Sequence, residues 1–570
     1  MKPTWLFHQP YQPYAYALTD TRARLVVAVE RGAATTVNVH FGDRYVEALP
    51  ERVSMEKSGN SHKLDYFTAD VEVPTHRLKY AFEVVRELRD RSKESIWYGE
   101  NAISLNPKSA GVFQLAYLAN RDVYTTPEWA KKAVCYQIFP ERFANGNPSL
   151  TPANSVDWES APTPFAMFGG DLQGITDHLD YLFEEGVTLL YLTPIFKAGS
   201  NHKYDTEDYL EIDPQFGSKE DLHRLVENAH QRGIRIVLDA VFNHSGFQFG
   251  PFQDVIKRGQ ASPYWNWFFI NGDKVDTEHV NYETFATRLR YMPKLNVANP
   301  EVEAYLLKVA RYWIEEFDID GWRLDVANEI DHVFWKRFRN TVKAAKADAL
   351  IVGEVWHNSL PWLLGDEYDS VMNYVFCEAV HAFFVRRELS GREFAERITE
   401  LLFMYPVQAT NAMFNLLGSH DTERVLTLAG GDVNRVLQAM TFQFFYPGIP
   451  MVYYGDEVGM EGGADPDCRR GMVWETGRQN QTLREAMKVL ASLKRSEPGL
   501  AAGSLHVVRA DKQHLEMVRE ANGASRIHAA FNTGHTAWKL PELGEILFES
   551  FKGACANGRL KAGAAVIWKE

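Results

Sequence analysis

"GWRLDVANE", residues 321–329, sets an arginine two residues before an aspartate inside an otherwise apolar run. Val, Leu and Trp favour a strand, and side chains along a strand alternate faces. Arg323 and Asp325 therefore share one face, and Leu324 takes the other. A buried charge costs several kcal/mol unless it is paired. A charged pair kept inside a strand marks a place where the chain needs it.

Outward from this run, short apolar stretches alternate with helical ones. The apolar runs cover 133–140, 187–196, 234–242, 319–327, 349–356, 370–376, 412–421 and 449–457. Between them lie amphipathic segments such as "SKEDLHRLVENAHQRG" and "PEVEAYLLKVARYWIEEF". Eight consecutive β–α units predict a (β/α)8 TIM barrel over residues 123–490 rather than an open doubly wound sheet. The connection from Asp239 to Arg323 is about twice as long as one unit needs. Residues 243–300 are rich in aromatics, Gly, Asn and Pro and show little helical period. They predict an inserted subdomain after strand three, over the barrel mouth.

The flanks read differently. Residues 1–122 alternate in strand fashion ("ARLVVAVERG", "LDYFTADVEVP", "LKYAFEVVRE") and predict an N-terminal β-sandwich. Residues 491–570 return to strands and turns and predict a C-terminal β domain of the same kind.

Composition bounds the function. The chain has 570 residues, enough for two to four domains. A net charge of −14 argues against nucleic acid or an anionic membrane as the main partner. The four cysteines lack CxxC spacing, which disfavours a zinc site or disulfide framework and fits a reducing compartment. The N-terminal stretch has no apolar signal core, and no uninterrupted membrane span occurs, so a cytoplasmic protein is expected. Aromatic residues make up 13% of the chain, and their flat faces suit sugar rings.

In such a barrel the active site forms where strands end. Strand three ends in Asp239, Asn243 and His244, strand four in Arg323 and Asp325, strand five in Glu354, and strand seven in His420 and Asp421. An Asp at a strand end often only caps a helix, and a lone His is usually a satisfied core residue. Convergence of so many on one rim points to chemistry. Arg323 favours ionised Asp325, while the apolar neighbours of Glu354 favour a proton on it. An ionised nucleophile beside a protonated acid is the pair that glycoside hydrolysis requires.

The segments "DAVFNH" (239–244), "GWRLDVANE" (321–329), "GEVW" (353–356) and "LLGSHD" (416–421) resemble, in order and spacing, the four core motifs of the α-amylase family of glycoside hydrolases. The resemblance covers residues 125–485 well and the flanks more loosely. It implies retention of anomeric configuration through a covalent glycosyl–enzyme intermediate. Asp325 is then the nucleophile, Glu354 the general acid/base and Asp421 the third carboxylate. His244 and His420 would bind sugar hydroxyls, Tyr204 would stack beneath the sugar at the cleavage point, and Asp239 would partner the arginine.

"MPKLN" (292–296) and "VANE" (326–329) further resemble the cyclomaltodextrinase, neopullulanase and maltogenic amylase group. That implies endo-type hydrolysis of α-1,4-glucosidic bonds in cyclodextrins, short maltodextrins and pullulan. "GADPDCRRGMVW" (463–474) nominates Asp465 and Arg469 as contacts to more distant sugars, with Glu329 and Trp356 on the acceptor side. The resemblance also implies a homodimer whose N-terminal domains, through Tyr45, gate the partner's cleft. A 4-α-glucanotransferase would share every catalytic residue, and a non-catalytic glucan binder is a third reading. The group's calcium loop reads "NGNPSLT" (145–151) here: Asn147 and Thr151 stand at its acidic positions, Leu150 replaces a further oxygen ligand, and Asp171 alone keeps its charge. No cofactor is expected to be required, and calcium binding is expected to be weak at most.

Overall fold

The computed structural model describes residues 5–88, 90–287 and 289–570. Its centre is an eight-stranded parallel sheet. We label its strands β1 (Cys135–Ile138), β2 (Leu189–Leu192), β3 (Arg235–Ala240), β4 (Gly321–Leu324), β5 (Leu350–Gly353), β6 (Ser370–Val371), β7 (Phe414–Leu416) and β8 (Ile449–Tyr453). Each pairs in parallel with its sequence neighbour from β1 to β6, β7 pairs with β8, and β8 pairs with β1. A single bridge between Met372 and Phe414 closes the ring. All eight strands fall inside the eight apolar runs. β6 is the exception in length: Asn373 caps a helix from Tyr374, so most of the run 370–376 is not strand.

The barrel lumen is filled rather than open. Cys135, Leu189, Val237, Leu350, Val352, Phe414, Leu416, Ile449 and Met451 are buried there together, as the layered interior of a closed barrel requires. The strands read as continuous apolar runs because helices cover their outer faces. Ser218, for example, starts the helix Lys219–Gln231 with a capping box to Asp221. Between first and last barrel helices, Glu185 is buried beside Arg484, whose Nε lies 2.6 Å away, with Lys488 at 3.6 Å. Burial pushes its carboxyl up to about 7 against the pull of Arg484.

The insertion after β3 differs from its reading in one respect. It holds a helix, Gly250–Arg258, where the sequence showed little helical period. Phe252 and Val255 bury its inner face, while many Gly, Asn and aromatic residues around it mask the repeat. The rest is an irregular ribbon bridged at Phe268–Leu295, Ile270–Tyr282 and Thr284–Pro293.

Two sheets, one of five and one of six strands, form the N-terminal sandwich around Leu25, Val27, Val39, Phe67, Tyr80 and Phe82. At the other end the helix Gln481–Ser496 runs past residue 490, and the C-terminal sheet starts at Ser504. A five-stranded and a three-stranded sheet make up that domain.

Candidate active site

The register brings the charged groups together. Asp239 on β3 lies opposite Arg323 on β4. Arg323 is fully buried, and its Nη1 donates to Asp239 at 2.9 Å and to Asp325 Oδ1 at 2.9 Å. Its Nη2 lies 2.8 Å from Glu354 Oε2. One guanidinium thus faces three carboxylates. Asp239 is held further by Tyr191 at 2.7 Å and Tyr204 at 3.0 Å, both donating hydroxyl protons. Its carboxyl is pushed up to about 6 by burial, with Arg323 opposing. Burial also pushes the Asp325 carboxyl up, and Glu354 reinforces the shift while Arg323 resists it. The sequence reading pairs Arg323 with Asp325 and Asp239, and Glu354 is the third acid it reaches. Its charge is divided among three acids.

Glu354 is also not in an apolar surround. The Val326 amide donates to Oε2 at 3.0 Å and the Trp356 indole donates to Oε1 at 3.1 Å. Val326 makes this contact from a left-handed conformation, φ 46° and ψ 42°. A β-branched residue there is strained, by about 1–3 kcal/mol. The turn swings the amide from the end of β4 toward the end of β5. One oxygen stays free: Asp325 Oδ2 is buried and has no hydrogen-bond partner among the described residues.

The remaining predicted residues fall into three situations. His244, His420, Tyr204 and Asp421 stand with the cluster. His244 is buried against the Phe285 ring, with its Nε2 unpartnered, and burial pushes its pKa down to about 3, leaving it neutral. His420 receives Gln137 Nε2 at 2.7 Å on Nδ1 and reaches the Tyr204 hydroxyl at 2.6 Å through Nε2. The rings of Tyr204 and His420 are parallel, 5.5 Å apart. Asp421 accepts from Arg469 Nη2 at 3.1 Å.

Arg469, nominated as a contact to distant sugars, lies beside the cluster. It is buried, with Nε on the His420 carbonyl at 2.8 Å and Nη1 3.1 Å from Asp465. Through Nη2 it positions Asp421. These three contacts leave two of its five N–H groups over, and half-exposed Asp465 is the more open member of the pair. Glu329 pairs with Lys294 at 2.9 Å, and Trp356 lies half exposed, stacked on Tyr374 at 3.7 Å. Tyr45 stands apart. It is 78% exposed on the N-terminal sandwich, and among the described residues its contacts are the Asp43 carboxylate and the Arg77 guanidinium.

Gln137 and Tyr191 escaped the sequence reading. Each is a polar residue inside a buried strand, "CYQI" and "LLYL", the same signal that singled out Arg323. In the loop 145–151 the nearby oxygens are taken up by the chain itself. Asp171 accepts backbone amides of Gly146, Asn147 and Gly174, and the Asn147 side-chain oxygen accepts Ser149. Those oxygens are satisfied by the protein itself.

A closed barrel whose neighbouring strand ends gather three carboxylates on one guanidinium is the site of a glycoside hydrolase. Comparison with known proteins gives the family. Residues 137–498 match the α-amylase catalytic domain and residues 1–119 the α-amylase N-terminal Ig-like domain. The chain is 46% identical over 555 residues to a cyclomaltodextrinase of Geobacillus thermopakistaniensis, covering 95% of this chain and 93% of that one. It is 48% identical over 513 residues to neopullulanase 2 of Thermoactinomyces vulgaris, covering 89% and 87%. A solved cyclomaltodextrinase superposes with a TM-score of 0.91 at 41% identity, covering 100% of this chain and 98% of that one. The chain belongs to the α-amylase family of glycoside hydrolases.

Proposed function

We propose that the protein hydrolyses α-1,4-glucosidic bonds in cyclodextrins, short maltodextrins and pullulan with retention of configuration. The observation that carries this reading is Asp325, with one oxygen tied to Arg323 and the other free and buried. The free Oδ2 attacks the anomeric carbon while Glu354 gives a proton to the departing glycosidic oxygen. The glycosyl ester on Asp325 then meets water. Glu354 takes the water proton, the hydroxyl joins the anomeric carbon, and the carboxylate leaves. Asp421 binds hydroxyls of the distorted ring, the unpaired Nε2 of neutral His244 bonds another, and His420, with both ring nitrogens on Gln137 and Tyr204, holds the Tyr204 hydroxyl in place. Tyr204, pinned by its hydroxyl, offers its ring to the same sugar.

Transfer to a second sugar is the second reading. Half-exposed Trp356, stacked on Tyr374 and bonded to Glu354, favours it as an acceptor platform. Proton NMR of nascent products from β-cyclodextrin tests the main reading. The α-anomer forms first if configuration is retained, and a β-anomer would overturn the nucleophile assignment. Longer products at high maltotriose would favour transfer.

The reading extends to setting. No helix among the described residues is long and apolar enough to cross a membrane. Four free thiols, three of them buried, support a cytoplasmic protein. The satisfied oxygens around Asp171 support activity without calcium or another cofactor. A homodimer gated by exposed Tyr45 completes the proposal.

A further inference from the structure

Where the three domains meet, a cavity of about 330 Å3 lies outside the catalytic cluster. Each domain sends an arginine to its wall: Arg31 from the N-terminal sandwich, Arg392 from the barrel helix Gly391–Leu402, and Arg509 from the C-terminal strand Ser504–Ala510. Glu396 is the only acid of the lining, and it is already engaged. Arg31 Nη1 lies 2.5 Å from one of its oxygens and His62 lies 3.7 Å from the other. Arg392 has no ion-pair partner among the described residues. For Arg509 the paired acid, Asp511, is 3.8 Å away, and the guanidinium lies over Trp538. The lining residues therefore carry three positive charges against one negative, with Asp511 outside the lining as a loose partner of Arg509, in a chain whose net charge is −14.

Like charges gathered from three domains repel, unless an anion lies between them. The shape of the wall adds a second element. The register of the strand Ser504–Ala510 shifts between Val507 and Arg509, and such a bulge re-aims side chains. Val507 and Val508 are left exposed on the same wall. One guanidinium without an ion-pair partner among the described residues, Arg392, and one only loosely paired, Arg509, beside an apolar patch suit a small ligand with an anionic head and a less polar body.

We propose that this cavity binds a phosphoryl group, as inorganic phosphate or as the head of a small phosphorylated sugar, between Arg392 and Arg509. Planar guanidinium groups match phosphate oxygens two at a time. The volume stands at the low end of small-ligand sites, roughly 300–1,000 Å3, so it admits a monosaccharide-sized body and excludes a glucan chain. Because three domains supply the walls, an occupant fastens them together and stabilises the folded chain by mass action.

Calorimetric titration and thermal melting of the full chain test this, with inorganic phosphate and glucose 6-phosphate against chloride at matched ionic strength. Saturable binding is expected, with a melting temperature that rises with ligand. The double variant R392A/R509A should weaken it about ten-fold or more and leave cyclodextrin hydrolysis unchanged. V508D, which places a carboxylate on the exposed wall, should do the same and guards against a folding defect in the double variant. Tighter binding of the sugar phosphate would assign the body to the valine wall, and equal affinities would assign the site to free phosphate. Absence of saturable binding up to millimolar concentrations, or binding undiminished in both variants, would overturn the proposal.

Discussion

At the scale of single residues, the decisive fact is that Arg323 is shared. Replacing Asp325 by Asn keeps the shape and most hydrogen bonds but removes the nucleophile. Turnover of cyclodextrin should fall by about three orders of magnitude or more while sugar binding persists. Near wild-type turnover would sink the assignment. Glu354→Gln should behave differently with the leaving group. Maltooligosaccharides need a proton on the departing oxygen, and activated aryl glycosides need little. The ratio of the two rates, wild type against variant, reports the acid role; equal losses would contradict it. Much of this site was legible because a charge in an apolar strand is costly, and that cost flagged Arg323, Asp325 and Glu354. What escaped was sharing. One sequence does not say that Arg323 Nη2 reaches Glu354, or that Arg469 holds Asp421 and Asp465 together.

At the scale of elements, two segments carry tests. The loop 145–151 is organised by Asp171, which takes three backbone amides where a cation would otherwise order the turn. Chelation with EDTA should leave both activity and melting temperature unchanged; a large drop restored by calcium would show that the loop holds metal. The contact between first and last barrel helices gives a pH signature. The Glu185 carboxyl is raised by burial to about 7 from an ordinary 4.5. Its contribution favours the fold below about 4.5 and is lost as pH rises through 7, roughly 3 kcal/mol in all. Glu185→Gln should therefore flatten the fall in melting temperature between pH 5 and 8. An identical pH profile in the variant would remove Glu185 as the cause. The strands were readable from apolar runs, since a barrel buried on both faces leaves no alternation to confuse. The helix Gly250–Arg258 was not, because irregular neighbours dilute a pattern of little more than two turns.

At the scale of the whole molecule, the N-terminal sandwich presents Tyr45 to solvent, far more exposed than a ring packed for stability. Removing residues 1–120 should convert the proposed dimer into a monomer, lower the cyclodextrin rate and raise the relative rate on starch. Light scattering with the two rates measures this, and a native monomer with full cyclodextrin preference would refute partner gating. The barrel itself is not equally strong around its circumference. From β1 to β5 its strands share three or four paired residues with each neighbour, whereas β6 offers β5 two and meets β7 through one bridge. The ring has a seam. Amide protons at Val371, Met372 and Phe414 should exchange with heavy water sooner than those of β2 or β3. A first, partial opening of this protein would begin there, on the side of the barrel away from the strands that hold Asp239 and Arg323.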